Sequence, residues 1–405
     1  MITGRDFVYI SSIDWSFLWQ SHQEIATRLA AAGNRVFYIE NMGVRSPRLA
    51  DASRVAARLR RWSASRRSKG VLEVSPNIYV CSPLVFPPFG SGWRRALNRR
   101  IFVPRLKRAA RDLGFHDPII WTYLPTDTCT DLIRCFGSAK SLVVYHCVAD
   151  FQQLTPETEK LRASESDLLR ICDIVLATCT QLEKNAGQLN ENVYLTPHGV
   201  NLEAFPFEVA GPGLTQPTEL VHLLRPIIGY VGGLHRHLDL PLVRQMALRK
   251  PDWHWVFVGS LDVPLQELDG LANVTLLGPR PHGELASYIN SFDVCIVPYA
   301  DTEATATVVP TKINEYLAMG KPVVCTDIPA VSEFNLQHRV ISLSSTKPDD
   351  FLAAIEQNLE SAGDRVQTAR RREVAAAADW NLRLSSISEI IERHLVNKKS
   401  TPEKE

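Results

Sequence analysis

The sequence predicts an α/β protein with two successive doubly wound domains, each built on a parallel sheet. Three observations support this class. The 405 residues exceed what one hydrophobic core usually organises, so two domains of about 200 residues are expected. Short β-branched and apolar runs alternate with helical patterns along the chain, as is typical of strands buried on both faces. A Pro- and Gly-rich stretch at 206–226 interrupts this alternation.

The first predicted domain spans 1–205. Its helix pattern from Gln20 to Ala32 is closed by Gly33 and Asn34, which suit a helix C-terminus. Its strand candidates are DFVYISS, RVFYIEN, IYVCSPL, PIIWTYL, SLVVYHC, IVLATC and VYLTPHG. Strands and helices alternating in this way predict a Rossmann-like unit.

The second predicted domain spans 206–378 and repeats the pattern. Its strand candidates are IIGYVGG, HWVFVGS, NVTLLG, DVCIVPY, PVVCTD and VISLSS. Residues 379–405 form an amphipathic pattern, which we expect to cross back to the first domain as a helix with a frayed tail. Because ligands of such sheets bind beyond the carboxyl ends of the strands, both domains are expected to direct their sites into a cleft between them.

Composition narrows the class of protein. The chain is 45% hydrophobic and 22% charged, as is ordinary for a globular protein. No segment approaches the ~18 apolar residues of a membrane span, and the N-terminus lacks the layout of a signal peptide, so a cytoplasmic protein is expected. The eight cysteines contain no C-x-x-C pair, which favours buried thiols in a reducing compartment over disulfides or zinc.

The near-zero net charge conceals an asymmetry. Residues 1–115 contain 20 Lys and Arg against 7 Asp and Glu, and the basic residues concentrate at 53–70 and 93–113. Both stretches mix arginine with apolar side chains, as an interfacial helix does at anionic lipid. We therefore expect peripheral contact of this domain with the inner face of the cell membrane. A solvated basic face and nucleic-acid binding are the alternatives, although no nucleic-acid-binding module is recognisable.

The segment 294–329 is the most informative for function, and its pattern is strand, polar loop, helix, strand. Pro310 suits the first turn of the helix and Gly320 its C-terminus. Lys312 and Glu315 are three residues apart and therefore share one helical face near the helix start. Helix N–H groups and a lysine favour a diphosphate, and a carboxylate one turn further can accept hydrogen bonds from ribose hydroxyls. An ordinary surface Lys/Glu pair is the alternative.

The motif PTKINEYLAMGKPVV, starting at Pro310, resembles the nucleotide-binding helix of family 4 glycosyltransferases, P-x-K-x-x-E-Y-L-A-x-G-x-P-V-V. It is similar above all to the branch acting in cell-surface polysaccharide assembly, such as teichuronic acid biosynthesis glycosyltransferases. IIGYVGGLHRHLD, NVTLLGPRPHGELASYINSFDVCIVPY and TPHGVNLEAF resemble further stretches of the family, so the resemblance covers nearly the whole chain. It implies the GT-B fold, two Rossmann-like domains facing a central cleft, and retaining transfer from a nucleotide-sugar.

The resemblance also implies the donor-site residues. The glycine turn approaches the diphosphate through its backbone, Arg280 lies in the loop that holds the nucleobase, and Arg236, with His235 and His237 beside it, is the nearest cation to the phosphates. The expected donor-binding residues are Gly232, Gly233, Arg236, Ser260, Arg280, Thr307, Val309, Pro310, Lys312 and Glu315.

One departure from the family concerns the E-x7-E pattern. Its first Glu falls at Thr307 here, so the carboxylate expected to contact the transferred sugar is absent, or Glu303 supplies it from a shifted loop. The identity of the donor sugar therefore stays open.

The first domain provides the expected acid/base residues. His146 matches the family's active-site histidine, and Asp150 resembles the aspartate of a Y-x-C-x-x-D motif that can activate an acceptor hydroxyl. The acceptor side is expected to be lined by Asp14, Trp15, Gln20 and His22, with tryptophan offering a stacking face. A structural histidine at a strand end and core tryptophans are the alternatives.

Taken with the resemblance, these residues predict transfer of a sugar from a nucleotide-sugar to a membrane-associated or lipid-linked saccharide. UDP is the nucleotide that the family leads us to expect, and GDP is left open. The chain contains no Asp-x-Asp triplet, so we expect no essential metal and no cofactor. An inactive nucleotide-binding subunit of a polysaccharide assembly complex and a UDP-sugar 2-epimerase are the competing interpretations, and a phosphorylase is remote. The acceptor linkage and the oligomeric state are left open.

Overall fold

The computed structural model describes residues 1–43, 70–83, 85–89, 92–155, 157–206, 214–264, 266–361 and 363–400. The chain divides into two compact units. Unit 1 comprises Met1–Pro197 and the residues from Arg383 onward, and unit 2 comprises His198–Leu382. The boundary between the units thus lies after Pro197, whereas the sequence predicted it after residue 205. The described residues of the Pro- and Gly-rich stretch at 206–226 belong to unit 2.

The sheet of unit 1 has eight strands in the order β3-β4-β2-β1-β5-β6-β7-β8. All neighbouring strands are parallel except β3 and β4, which are antiparallel. The strands are β1 Asp6–Ile10, β2 Arg35–Ile39, β3 Val71–Ser75, β4 Ile78–Cys81, β5 Ile119–Thr122, β6 Val143–Cys147, β7 Ile174–Ala177 and β8 Val193–Leu195. Seven of them are the predicted strands. The edge strand β3 was missed, because VLEVS is half-exposed and reaches the sheet only through a hairpin.

The helices of unit 1 follow the strands that they connect. They are α1 Ser21–Ala31, α2 Gly92–Leu97, α3 Val103–Asp112, α4 Asp127–Phe136, α5 Thr158–Ile171 and α6 Thr180–Ala186, with a π-helix at Asn98–Phe102 and a 3-10 helix at Phe151–Leu154. The first helix ends as the sequence predicted, with Gly33 at a φ of +84°. Of the two predicted basic stretches, 53–70 lies outside the described residues except for Gly70, and 93–113 forms α2, the π-helix and α3.

Unit 2 has a fully parallel six-stranded sheet in the order β11-β10-β9-β12-β13-β14. The strands are β9 Ile227–Val231, β10 His254–Val258, β11 Val274–Leu276, β12 Val294–Val297, β13 Val323–Thr326 and β14 Ser342–Ser344. The helices are α7 Leu240–Arg249, α8 Leu285–Ser291, α9 Glu303–Ala306, α10 Lys312–Ala318, α11 Pro329–His338, α12 Pro348–Glu360, α13 Arg365–Ala377 and α14 Trp380–Ser400, with 3-10 helices at Thr218–Leu220, Gln266–Leu268 and His282–Glu284. All six predicted strands are present.

The central strands are buried on both faces, which explains why they appear in the sequence as continuous apolar runs. Every residue of β9 is buried. Gly229 in its middle has no room for a side chain, since a Cβ atom there would lie 2.0 Å from the ring of Phe292. Packing against the strand thus requires this glycine.

Two smaller expectations concern the chain end and the thiols. Residues 380–400 form the helix α14, whose part from Arg383 onward belongs to unit 1. Seven of the eight cysteines are buried and Cys135 is half-buried, as the apolar runs around them predicted.

Candidate functional site

Three loops of unit 2 are joined at the carboxyl ends of β9, β10 and β11. The Gly232 N–H donates to the Val258 carbonyl (2.8 Å), and the Gly259 N–H donates to the Gly278 carbonyl (2.9 Å). Gly259 has a φ of +159°, and a Cβ atom there would lie 1.9 Å from the Gly232 oxygen. Only glycine permits this approach, so the turn after β9 is held close to the loop after β10.

Lys312 packs directly against this glycine turn. Gly232 has a φ of +133°, and a Cβ atom on it would lie 2.6 Å from the Lys312 ammonium nitrogen. Helix α10, which begins at Lys312, is anchored to the same strand end, because the Val231 N–H donates to the Tyr316 hydroxyl (2.7 Å). The residues that the sequence assigned to a diphosphate, Gly232 and Lys312, are therefore brought together.

Two tyrosines hold the Lys312 ammonium group. Its Nζ donates to Tyr230 Oη (2.5 Å) and to Tyr299 Oη (3.2 Å), and it lies 4.0 Å from the Tyr230 ring centroid. Tyr230 Oη in turn donates to the Gly233 carbonyl (3.0 Å), which links the ammonium group to the turn. Burial lowers the pKa of Lys312 from 10.5 to about 7, although the charge of Glu315 opposes the shift. The shift arises because desolvation disfavours the ammonium form.

The start of helix α10 differs from the prediction by two residues. Thr311 is the residue before the helix, and Pro310 precedes it, with its carbonyl accepting from the Ile313 N–H (3.1 Å). The chain turns at Pro310 but the regular helix begins at Lys312. Glu315, half-buried, lies in the first turn of the same helix. The C-terminus is as predicted, with Gly320 at a φ of +70° after the last turn.

The turn beyond Gly233 is rich in basic side chains. Arg236 is exposed and lies between the half-buried His235 and His237. Burial, followed by the charges of Lys312, His237 and Arg236, lowers the pKa of His235 to about 3. Burial, followed by the charges of Arg236 and Lys312, also lowers the pKa of His237. The charges of Arg236 and Lys312 contribute to both shifts, so both rings lie near basic groups that favour an anion.

Ser260 lies beside the same turn. Its hydroxyl donates to Asp262 Oδ2 (3.0 Å), and the Leu234 N–H donates to its carbonyl (2.7 Å). A Cβ atom on Gly233 would lie 3.1 Å from both the Ser260 hydroxyl and Asp262 Oδ2. The expected contacts of Ser260 and Gly233 with one ligand are thus geometrically compatible, and Asp262 is a neighbour that the sequence did not indicate.

The side chain of Arg280 donates to several protein acceptors. Its Nη2 donates to Glu219 Oε1 (3.0 Å), its Nε to Tyr288 Oη (2.9 Å) and its Nη1 to the Leu277 carbonyl (2.6 Å). The guanidinium group is therefore used to fix the loop after β11 against Glu219 and Tyr288. Contact of this side chain with a nucleobase stays a prediction.

The loop between β12 and α10 carries the departure from the family motif. Thr307 is buried and follows the short helix α9, whose first residue, Glu303, is exposed. Thr305, in the middle of α9, donates from its hydroxyl to the Ala300 carbonyl (2.7 Å), which fixes the loop. Val309 is half-buried between Thr307 and the start of α10. A role of Glu303 in contacting the donor sugar stays a prediction.

In unit 1, three aromatic rings are stacked near the carboxyl ends of β5 and β6. The ring of Tyr123 lies 3.7 Å from that of His22 and 4.9 Å from that of His146, centroid to centroid. His146 is the penultimate residue of β6 and is fully buried. Two residues that the sequence placed in separate roles, His22 and His146, are brought together by Tyr123, which the sequence did not indicate.

A hydroxyl network surrounds His22. Its Nδ1 lies 3.1 Å from Ser11 Oγ and its Nε2 lies 3.3 Å from Ser12 Oγ. Tyr38 Oη donates to the same Ser11 hydroxyl (2.6 Å), and Trp15 packs edge-on against the Tyr38 ring at 5.1 Å. His22 and Trp15 are therefore parts of one polar and aromatic cluster at this end of the sheet.

Two other expected acceptor residues have local roles. Gln20 forms a reciprocal cap at the start of α1 with Gln23, whose Oε1 accepts from the Gln20 N–H (3.1 Å). Capping of the helix explains its local contacts, and its role as a ligand-binding side chain stays a prediction. Asp14 is half-buried, and its carbonyl accepts from the Phe17 N–H (3.1 Å) in the loop after β1.

Asp150 caps the 3-10 helix that follows β6. Its Oδ1 accepts from the Gln152 N–H (3.0 Å). The Gln152 side chain donates to Glu165 Oε2 (3.2 Å), and Glu165 Oε1 accepts from Tyr145 Oη (2.8 Å). Burial raises the pKa of Glu165, and the charge of Asp150 adds to the shift. The segment bearing Asp150 is thus held by a second carboxyl group, Glu165, which the sequence did not reveal.

Two further observations on the described residues concern metal binding and membrane-spanning helices. No group of three or more His, Cys, Asp or Glu side chains among them is arranged to hold a metal ion. Within the same residues, no helix combines the length and the apolar character needed to cross a membrane.

Part of unit 2 matches the model of a glycosyltransferase family. Residues 225–361, which contain the glycine turn and α10, match the family described as glycosyl transferases group 1. The expected glycosyltransferase resemblance is confirmed by this match.

A particular relative supports the polysaccharide branch. The chain is 31% identical over 231 residues to TuaH of Bacillus subtilis (strain 168), which bears the name of a teichuronic acid biosynthesis glycosyltransferase. The match covers 55% of this chain and 57% of TuaH, so it spans little more than half of that relative.

Solved structures show the same fold at low identity. Sucrose-phosphate synthase from Thermosynechococcus elongatus has a TM-score of 0.69 at 18% identity, covering 97% of this chain and 100% of that one. Anabaena HepE in complex with UDP and glucose has a TM-score of 0.66 at 16% identity, covering 96% of this chain and 100% of that one. The predicted GT-B fold class is confirmed by these likenesses.

Proposed function

We propose that the chain is a retaining glycosyltransferase that transfers a sugar from a UDP-sugar to a membrane-associated or lipid-linked saccharide in cell-surface polysaccharide biosynthesis. The class is supported by the group 1 domain at 225–361 and by the relationship to TuaH. UDP as the nucleotide is supported by the likeness to HepE, whose structure contains UDP and glucose.

The observation that carries the proposal is the contact between Lys312 and Gly232. The Lys312 ammonium nitrogen lies 2.6 Å from the position that a Cβ atom on Gly232 would take. Hydrogen bonds through the Tyr230 hydroxyl connect it to the Gly233 carbonyl. A diphosphate bound to the turn would therefore meet a buried cation. Because its own charge favours the ammonium form, the diphosphate would also raise the pKa of Lys312.

These groups suit a reaction in which negative charge collects on the leaving group. When the anomeric C–O bond of the donor breaks, the sugar becomes oxocarbenium-like and the UDP β-phosphate gains charge. Lys312 stabilises that charge, and Glu315 binds the ribose hydroxyls. In this proposal His146 and Asp150 orient and activate the acceptor hydroxyl on the same face of the sugar, which retains the anomeric configuration. Neither a metal nor a cofactor takes part.

Contact with the membrane is proposed for the helical segment 92–112. Its exposed face presents Trp93, which is 61% exposed, and Ile101 among six arginines. These exposed arginines are Arg94, Arg99, Arg100, Arg105, Arg108 and Arg111. Each basic side chain near an anionic surface adds about 1 kcal/mol of attraction, and an exposed tryptophan suits the interfacial region.

The decisive experiment combines binding and turnover. UDP- and GDP-sugars are tested for protection against thermal unfolding, since a ligand at about 100 Kd adds about 2.7 kcal/mol of stability. UDP release is then measured with and without a lipid-linked saccharide. Release that depends on the acceptor supports the proposal. Binding without release indicates a non-catalytic subunit, and conversion of the UDP-sugar without acceptor indicates an epimerase. Failure of every nucleotide to bind would overturn the proposal.

Membrane contact is tested by flotation with vesicles of phosphatidylcholine alone or with phosphatidylglycerol. Replacing Arg99 and Arg100 with glutamine should reduce flotation with the anionic vesicles by about tenfold or more, because about 2 kcal/mol of attraction is removed. The matched control replaces the exposed Arg370 of unit 2 with glutamine. Equal flotation of all three proteins would contradict this part of the proposal.

A further inference from the structure

Two histidines occupy the turn that follows Gly233, and neither is explained by packing of the core. The rings of His235 and His237 lie 5.0 Å apart and nearly perpendicular, at 81°. Both rings contact Tyr299, at 5.8 Å and 6.2 Å between centroids. Since Tyr299 Oη accepts from Lys312 Nζ (3.2 Å), the two imidazoles belong to the cluster that surrounds the buried ammonium group.

The backbone fixes the proton arrangement of His235. The His237 N–H donates to His235 Nδ1 (3.3 Å), so this nitrogen acts as an acceptor and bears no proton. The neutral ring then bears its proton on Nε2, and that nitrogen is the donor available to a ligand. The low pKa of His235, about 3, agrees with a ring that stays neutral near pH 7.

The surroundings of His237 are different. No described side-chain hydrogen bond fixes its tautomer, and it is half-buried beside the exposed Arg236. Burial, then the charges of Arg236 and Lys312, lower its pKa. An anion placed next to these cations opposes the electrostatic part of that shift and thereby favours the protonated ring.

Groups from four elements face this pair. The ends of β9 and β12 contribute the hydroxyls of Tyr230 and Tyr299, and α10 contributes Lys312, with Glu315 one turn further. The loop after β10 contributes the remaining two groups. These are the Ser260 hydroxyl and the Asp262 carboxylate, and each lies 3.1 Å from the position of a Cβ atom on Gly233. The His235 ring lies 3.6 Å from the same position.

We propose that His235 and His237 bind the diphosphate of the donor nucleotide, His235 as a neutral hydrogen-bond donor through Nε2 and His237 as a group that takes up a proton when the diphosphate binds. The proton comes from solvent and is returned when the nucleotide leaves. This assignment rests on the proposed function, because it presumes a nucleotide at the glycine turn. It adds two ligand residues and a pH dependence to a site whose other cations are Lys312 and Arg236.

The test measures UDP binding by titration calorimetry. His235→Gln keeps an N–H donor near the place of Nε2 and should bind within about threefold of the unmodified protein. His235→Phe removes the donor and should bind about tenfold more weakly, the effect of one hydrogen bond to a charged group. The control is His222→Gln, which changes an exposed histidine of the same unit. Circular dichroism and melting temperature establish that each variant is folded.

Proton uptake separates the role of His237 from a structural one. At pH 7 the binding heat is measured in buffers of different ionisation enthalpy, and the number of protons taken up is obtained from the slope. His237→Gln should lower that number, while the uptake by Lys312 remains. The inference is overturned if the unmodified protein binds UDP while His235→Phe binds it equally well, or if His237→Gln leaves the proton uptake unchanged. Absence of UDP and GDP binding by the unmodified protein would instead refute the proposed function.

Discussion

Lys312 has a buried ammonium group in the folded protein, so its replacement by methionine should stabilise the protein at neutral pH while removing nucleotide binding. Methionine has a similar length and no charge, and it can fill the space between Tyr230 and Tyr299 without desolvating a cation. A charged group that is buried for ligand binding is expected to lower the stability of the free protein.

The sign and size follow from proton linkage. The unfolded chain keeps a lysine pKa near 10.5, whereas the folded protein has about 7. Between these values the unfolded state binds more protons, so stability rises with pH from 7 to 10.5 and is lost as pH falls. The desolvated ammonium group costs about 4 kcal/mol at pH 7 and about 2 kcal/mol at pH 9.

The variant also loses two favourable contacts. The Tyr230 and Tyr299 hydroxyls no longer accept from the ammonium group, which costs about 1 kcal/mol each. Lys312→Met should therefore be more stable than the unmodified protein by about 2 kcal/mol at pH 7 and nearly equal to it at pH 9. For a domain of this size the gain at pH 7 corresponds to about 4–8 °C in melting temperature.

Differential scanning calorimetry at pH 7 and pH 9 measures the effect. Lys347→Met is the matched control, since Lys347 is exposed on unit 2, and its difference from the unmodified protein should not change with pH. UDP binding by the Lys312 variant should fall by about 100-fold or more, as for loss of one anion-stabilising group. A melting temperature lowered at pH 7, or a difference that is the same at both pH values, would refute the electrostatic reasoning.

Three further predictions concern the same protein. Gly232→Ala should abolish UDP binding, because the new Cβ would lie 2.6 Å from Lys312 Nζ at a φ of +133°. Gly283→Ala is the control, since nothing lies within 4 Å of its Cβ position. Equal UDP binding by both variants would contradict this geometric reasoning. Glu315→Gln should weaken UDP binding by about tenfold and the binding of inorganic pyrophosphate little, since the carboxylate is assigned to the ribose; equal weakening of both would count against that role. Saturating EDTA should leave UDP release within about twofold of the untreated enzyme, and complete loss with recovery on adding Mg²⁺ would refute a metal-independent reaction.

Periodicity and turn residues determined much of the architecture from the sequence. Thirteen of the fourteen strands of the described residues were predicted, because buried parallel strands are apolar throughout and are separated by clear helix ends. The antiparallel edge strand β3 was missed, since VLEVS has little local signal and depends on its partner β4.

The sequence also indicated which residues of unit 2 lie together. The spacing of Lys312 and Glu315 predicted one helical face, and the family resemblance implied that the turn at Gly232 lies beside them. The lowered pKa of Lys312 could not be predicted, because it is caused by burial in the folded protein. The hydroxyl groups that contact the ammonium group belong to Tyr230 and Tyr299, which lie 82 and 13 residues away along the chain.

Only the tertiary structure decided the roles of side chains that face other elements. Arg280 is occupied by Glu219, 61 residues distant, and His146 meets His22 through the ring of Tyr123. Local patterns determine which backbone elements form, because their hydrogen bonds and periodicity are short-range. Burial and charge at a site arise from neighbours that are distant in sequence. The protonation states and contacts of these side chains therefore depend on how the strands and helices pack together.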